Sequence, residues 1–137
     1  MTAVDTGLAA EYAAIYAYSA AAVHLDGDPR WIAEELEAEH RSRRDTLLDY
    51  YGEHQLEAAP SLAGYDIEPI ADAAAAQELL LAVETSVTTA WRAGVVSSEP
   101  NEREICLRMY GDSAATLARW RIAIGQSAAD PWPGRPE

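Results

Sequence analysis

Four stretches of this chain carry apolar residues three and four apart, each bounded by residues that start or stop a helix, and that pattern restricts the fold to helices. The first runs from about Thr6 to Leu25, with Leu8, Ile15, Tyr18 and Ala22 at helical spacing and Gly27 as its stop. Asp28 and Pro29 suit an N-cap and a first helical residue, which predicts a second helix over 29–51 closed by Gly52. A third helix is predicted over 71–95 and a fourth over 99–123, with Pro100 in its first turn. Nothing reads as a strand. Residues 53–70 hold Pro60, Gly64 and Pro69 without a period and form a long connection, whereas the other two connections are only a few residues long. Each short connection predicts an antiparallel hairpin. A helix of about 24 residues is roughly 36 Å long, and about 18 extended residues span up to about 59 Å, so the middle connection is able to return along the bundle and set helices two and three parallel. The fold class expected is all-α, a four-helix bundle over 1–127. Residues 128–137, AADPWPGRPE, hold three of the seven prolines and are expected to form an extended tail pinned by Trp132.

Charge narrows the partners. Ten arginines and no lysine face 23 carboxylates, giving a net charge of -13 and a pI near 4.5. Such a surface is repelled by phosphate backbones and by anionic lipid, so neither nucleic acid nor a membrane is expected as a partner. Charged residues break the apolar runs well short of a membrane span and no basic, then apolar, leader is visible, so the expected location is cytoplasmic. A lone cysteine, Cys106, allows neither an internal disulfide nor a thiolate metal cluster. Flanked by Ile105 and Leu107, it reads as a small apolar filler.

The informative feature is where acids interrupt the apolar stripes. Helix one reads Leu8, Glu11, Ile15, Tyr18, Ala22; helix two reads Ile32, Leu36, His40, Arg43, Leu47, with Glu37 one turn before His40. Helix three reads Leu80, Glu84, Val87, Trp91, and helix four reads Ile105, Met109, Asp112, Thr116, Trp120. Every helix thus offers an inward acid near mid-height. Converging carboxylates must find positive charge, because isolated buried ions are costly. A metal is one source, and carboxylates with one imidazole suit iron or manganese. Glu37 and His40 make one Glu-x-x-His pair, whose spacing puts both side chains on one helix face. His40 and Arg43 are the other source, in a metal-free network with Glu11 and Glu84.

The segments EYAAIYAY, EAEHRSRRDTLL and AVETSVTTAWRAG, with the PWPGRPE tail, resemble a bacterial branch of the ferritin-like superfamily made of domains of unknown function. The resemblance spans nearly the whole chain. It implies a bundle of two hairpins joined by a long connection, often with a di-iron or di-manganese oxidase, peroxidase or iron-storage site. Carried over, Glu11, Glu37, His40 and Glu84 match the first half of the ligand set, and Asp112 takes the place of the fourth-helix Glu. Ala115 stands where a second His is required, so one metal position lacks its nitrogen ligand.

Two readings follow. One is a degenerate metal site in a non-catalytic homodimeric module, its buried network made of Glu11, His40, Arg43 and Glu84. The alternative is a metal-binding oxidoreductase in which Glu11, Glu37, His40, Glu84 and Asp112 hold iron or manganese. The cofactor is accordingly none or one iron or manganese ion. The sequence names no protein or small-molecule partner beyond a second copy. Tyr18, Trp91 and Trp120 are expected in the core, His24 and His54 in solvent, and Gly111 at a close helix contact.

Overall fold

A computed structural model describes residues 1–136, among which four helices and no strands occur. They are α1 (Ala3–Ala22), α2 (Gly27–Glu53), α3 (Ala73–Ser97) and α4 (Pro100–Ala123). α1 begins three residues before the expected start because Thr2 caps it. The Thr2 hydroxyl accepts from the Asp5 N–H, and the Asp5 carboxylate accepts from the Thr2 N–H, a reciprocal pair that satisfies two donors the first turn leaves free. α1 also ends before Leu25, which is buried in the turn that follows. At the junction Gly27 takes a φ of 59°, a conformation glycine adopts without strain. The N-cap of α2 is therefore Asp26 and not Asp28, which lies in the first turn. Asp72 caps α3 by accepting from the Ala75 N–H. Pro100 opens α4, where its missing N–H costs no bond.

Side-chain contacts fix the directions. The Tyr51 hydroxyl on Asp5 and the Trp91 indole on Glu11 set the start of α1 beside the ends of α2 and α3. Both therefore run antiparallel to α1 and parallel to each other. Arg43 on Thr116 and Arg119 on Glu35 make α4 antiparallel to α2. The chain thus forms two antiparallel hairpins joined by the long connection.

Burial follows the helical stripes and divides the apolar core in two. One half gathers Leu8, Leu47, Tyr51, Trp91, Cys106 and Met109; the other gathers Tyr18, Leu25, Leu36, Leu80 and Trp120. Between them lies a layer of buried polar side chains. The tail folds back on the bundle, with the Tyr110 hydroxyl donating to the Pro133 carbonyl and Arg121 pairing with Asp130. Trp132 is 60% exposed and pins nothing; buried Gly134 makes the close contact instead, against the backbone of Thr88 and Thr89. Gly111 has open space around it, so no helix approaches there.

A buried Glu-His-Glu-Arg centre

Glu11 of α1, His40 and Arg43 of α2 and Glu84 of α3 meet in the middle layer, with Glu11, His40 and Glu84 wholly buried and Arg43 4% exposed. His40 is held from both sides: Nδ1 lies 2.6 Å from Glu11 Oε2 and Nε2 lies 2.6 Å from Glu84 Oε1. An imidazole donates to two carboxylates at once only when both nitrogens carry protons. Burial opposes that charge, but the hydrogen bonds and charges of Glu11 and Glu84 outweigh it and raise the His40 pKa from 6.5 to about 9. Arg43 Nη1 also lies 3.4 Å from Nδ1, but the shorter contact with Glu11 puts the proton on Nδ1, so Arg43 and His40 are two cations sharing one carboxylate. The same pairing works on Glu84: burial alone raises its pKa, while bonds from His40 and the Tyr18 hydroxyl hold it below its ordinary value.

Arg43 closes the centre toward α4. Its Nη1 is 3.6 Å from Glu11 Oε1 and 3.4 Å from Ser113 Oγ, and its Nη2 donates to Thr116 Oγ1 at 2.8 Å and to the Asp112 carbonyl at 3.3 Å. Two carboxylates, one imidazolium and one guanidinium sum to zero charge. That neutrality lets four ionic groups lie between two apolar halves, since an unbalanced ion there would cost several kcal/mol.

Indoles terminate the chain of bonds at each end. Trp91 Nε1 donates to Glu11 Oε1 at 2.9 Å, and Trp120 Nε1 donates to the Tyr18 hydroxyl at 2.6 Å, which donates to Glu84 Oε1 at 2.5 Å. These aromatics are core residues, as their spacing indicates. Their polar atoms are also the outer partners of the carboxylates, a role that helical periodicity does not express. Burial and the Glu84 charge raise the Tyr18 pKa well above its ordinary value, so its hydroxyl remains a donor.

Two expected members lie elsewhere. Glu37 is half-buried at the edge of α2, bonded to the Ser19 hydroxyl and paired with Arg41 at 3.4 Å. Asp112 is exposed, and only its carbonyl reaches the centre. The inward residue of that turn is Ser113, four residues after Met109 where the expected register took three. α4 thus brings hydroxyls, not a carboxylate. A metal requires several donors with free lone pairs, but Glu11 engages both oxygens, His40 both nitrogens, and Glu84 Oε1 two donors. Glu84 Oε2 is the one carboxylate oxygen of the centre with no partner, and one oxygen is not a ligand set. Among the described residues no group of three His, Cys, Asp or Glu is arranged to hold a metal ion, and the arrangement does not fit a metal centre.

Fold and centre together define an all-α bundle organised around a buried ion network. The chain belongs to the family described as Domain of unknown function (DUF4439), whose model matches residues 3–137. It is also similar to the crystal structure of a conserved hypothetical protein, rv2844, from Mycobacterium tuberculosis, with 27% identity and a TM-score of 0.79 over 88% of this chain and 93% of that one. Comparison with curated proteins finds no match. No helix is long and apolar enough to cross a membrane among the described residues.

Proposed function

We propose that this chain is a ferritin-like bundle in which protein cations have replaced the metal, and that it acts as a non-catalytic module whose neutral centre fixes the register of α1, α2 and α3. The parallel α2 and α3 and the long connection between them support the ferritin-like topology. The observation that carries the reading is His40, both of whose nitrogens lie 2.6 Å from a carboxylate. The positive charge the two acids require is already present in the chain.

The test combines metal analysis of protein purified without added metal with two variants. His40→Ala and Arg43→Ala each strand a buried charge and should each cost about 3 to 5 kcal/mol in urea unfolding, while chelator leaves the wild-type melting temperature unchanged. Ferrous iron in air should give no mineralised core. If about one iron or manganese ion per chain is found, lost in His40→Ala and not in Arg43→Ala, with a chelator-sensitive melting temperature, the reading is wrong.

A further inference from the structure

The connection over residues 54–72 meets α1 where Tyr65 packs on Tyr16, ring centroids 5.5 Å apart, and leaves space on either side of that contact. The α1 residues beneath it include Ala9, Ala10, Ala13 and Ala17, and two cavities of about 530 and 320 Å³ remain there, both bordered by Tyr65. The larger lies between the start of α1, the end of α2 and the connection, at a volume usual for small-molecule sites. Its walls are mainly apolar, with Leu8, Ala9, Ala58, Pro60 and Leu62 among them.

The polar side chains of that cavity are phenols and carboxylates. Three tyrosines line it, Tyr12, Tyr51 and Tyr65; its charged side chains are Asp5 and Glu57, with no arginine or histidine, and Met1 brings the positive charge of the chain's amino group, which acts on Asp5. Asp5 is committed: it accepts from the Tyr51 hydroxyl and the Thr2 N–H, and it also feels the amino-terminal charge. Glu57 is exposed and forms no ion pair among the described residues. The cavity therefore combines an apolar interior, three tyrosines, a residue type whose ring attracts cations, and the negative charge of Glu57, which has no ion-pair partner among the described residues. We propose that it binds a small amphipathic cation, an aromatic or alkyl body bearing an ammonium group that is alkylated or quaternary. A carboxylated or phosphorylated ligand meets Glu57 and a chain of net charge -13, with no side-chain cation to receive it and the Met1 amino group facing the Asp5 carboxylate.

Calorimetric titration with benzyltrimethylammonium, alongside phenylacetate and benzyl alcohol as anionic and neutral aromatic probes, tests the proposal. The expected result is one saturable site for the cation alone, with amide shifts confined to the first half of α1, the end of α2 and residues 54–72. Ala9→Phe adds bulk at an exposed position of the cavity wall and should lower affinity about tenfold with the melting temperature unchanged. Glu57→Gln should lower it about threefold. The proposal is overturned by equal binding of phenylacetate or benzyl alcohol, by cation binding that Ala9→Phe leaves unaltered, as diffuse attraction to an acidic surface gives, or by no saturation up to about 10 mM. Neither variant touches the His40 centre, so the outcome is independent of the function proposed above.

Discussion

Gly7 decides whether Trp91 is able to reach Glu11. A Cβ built on Gly7 meets three ring atoms of Trp91 at 2.0, 2.3 and 2.3 Å, so the indole occupies the space an alanine side chain needs. Two effects then oppose each other in Gly7→Ala. Alanine is the better helix former, worth about 1 kcal/mol at an interior position. Against that, displacing a ring in a full core costs about 1 to 3 kcal/mol, and moving Trp91 weakens its bond to the Glu11 carboxylate, worth about 1.5 to 3 kcal/mol. The clash wins, with an expected net loss of about 2 to 4 kcal/mol and, at about 3 °C per kcal/mol for a domain of this size, a melting temperature lower by about 6 to 12 °C. Gly111→Ala is the internal control, since Gly111 is exposed in α4 with nothing near its missing side chain, and it should be stabilising by up to about 1 kcal/mol. Urea unfolding measures both, and near-ultraviolet circular dichroism reports the Trp91 environment. Gly7→Ala that is as stable as wild type with an unchanged aromatic spectrum would refute the packing argument.

The centre also sets a pH dependence. The His40 pKa is raised from 6.5 to about 9, so its stabilisation, about 3 kcal/mol, is full below pH 6.5 and lost as pH rises through about 9. Glu84, lowered from 4.5, contributes fully above that value and is lost as pH falls through its folded pKa. Urea midpoints should therefore be highest between these limits and decline toward pH 9; a flat profile from about pH 6.5 to 9.5 would contradict the assignment. In the tail, a Cβ on Gly134 meets Thr88 C at 2.8 Å and Thr89 N at 2.9 Å, both backbone, and the φ of 72° disfavours any side chain. Gly134→Ala should release the tail to limited proteolysis and leave the bundle intact, and equal protection in wild type and variant would show the contact to be dispensable.

How far the centre is legible in the sequence depends on the kind of residue. Glu11, His40, Arg43 and Glu84 were visible because each interrupts an apolar stripe, and on a helix a residue in line with core positions is itself in the core. Both three and four residues are allowed helical steps from Met109, so spacing alone does not separate Asp112 from Ser113. Ser113 fits the buried set Cys106, Met109, Thr116 and Trp120 equally well. Glu37 misled because sharing a helix face with His40 says nothing about reaching the same depth. The Thr2-x-x-Asp5 pattern announces the true start of α1, ahead of its first apolar residues. The partners Trp91, Tyr18 and Trp120 were beyond reach, since which indole meets which carboxylate is settled by how the four helices rotate against each other.

His40 is a doubly protonated cation held by two carboxylates and not a metal ligand. Nitrogen-15 magnetic resonance of His40 tests it most directly, because a ligating imidazole must give up a proton on one nitrogen whereas an imidazolium keeps both. The expected result is two protonated ring nitrogens at neutral pH, with titration near 9. A neutral ring with one bare nitrogen at neutral pH would contradict it.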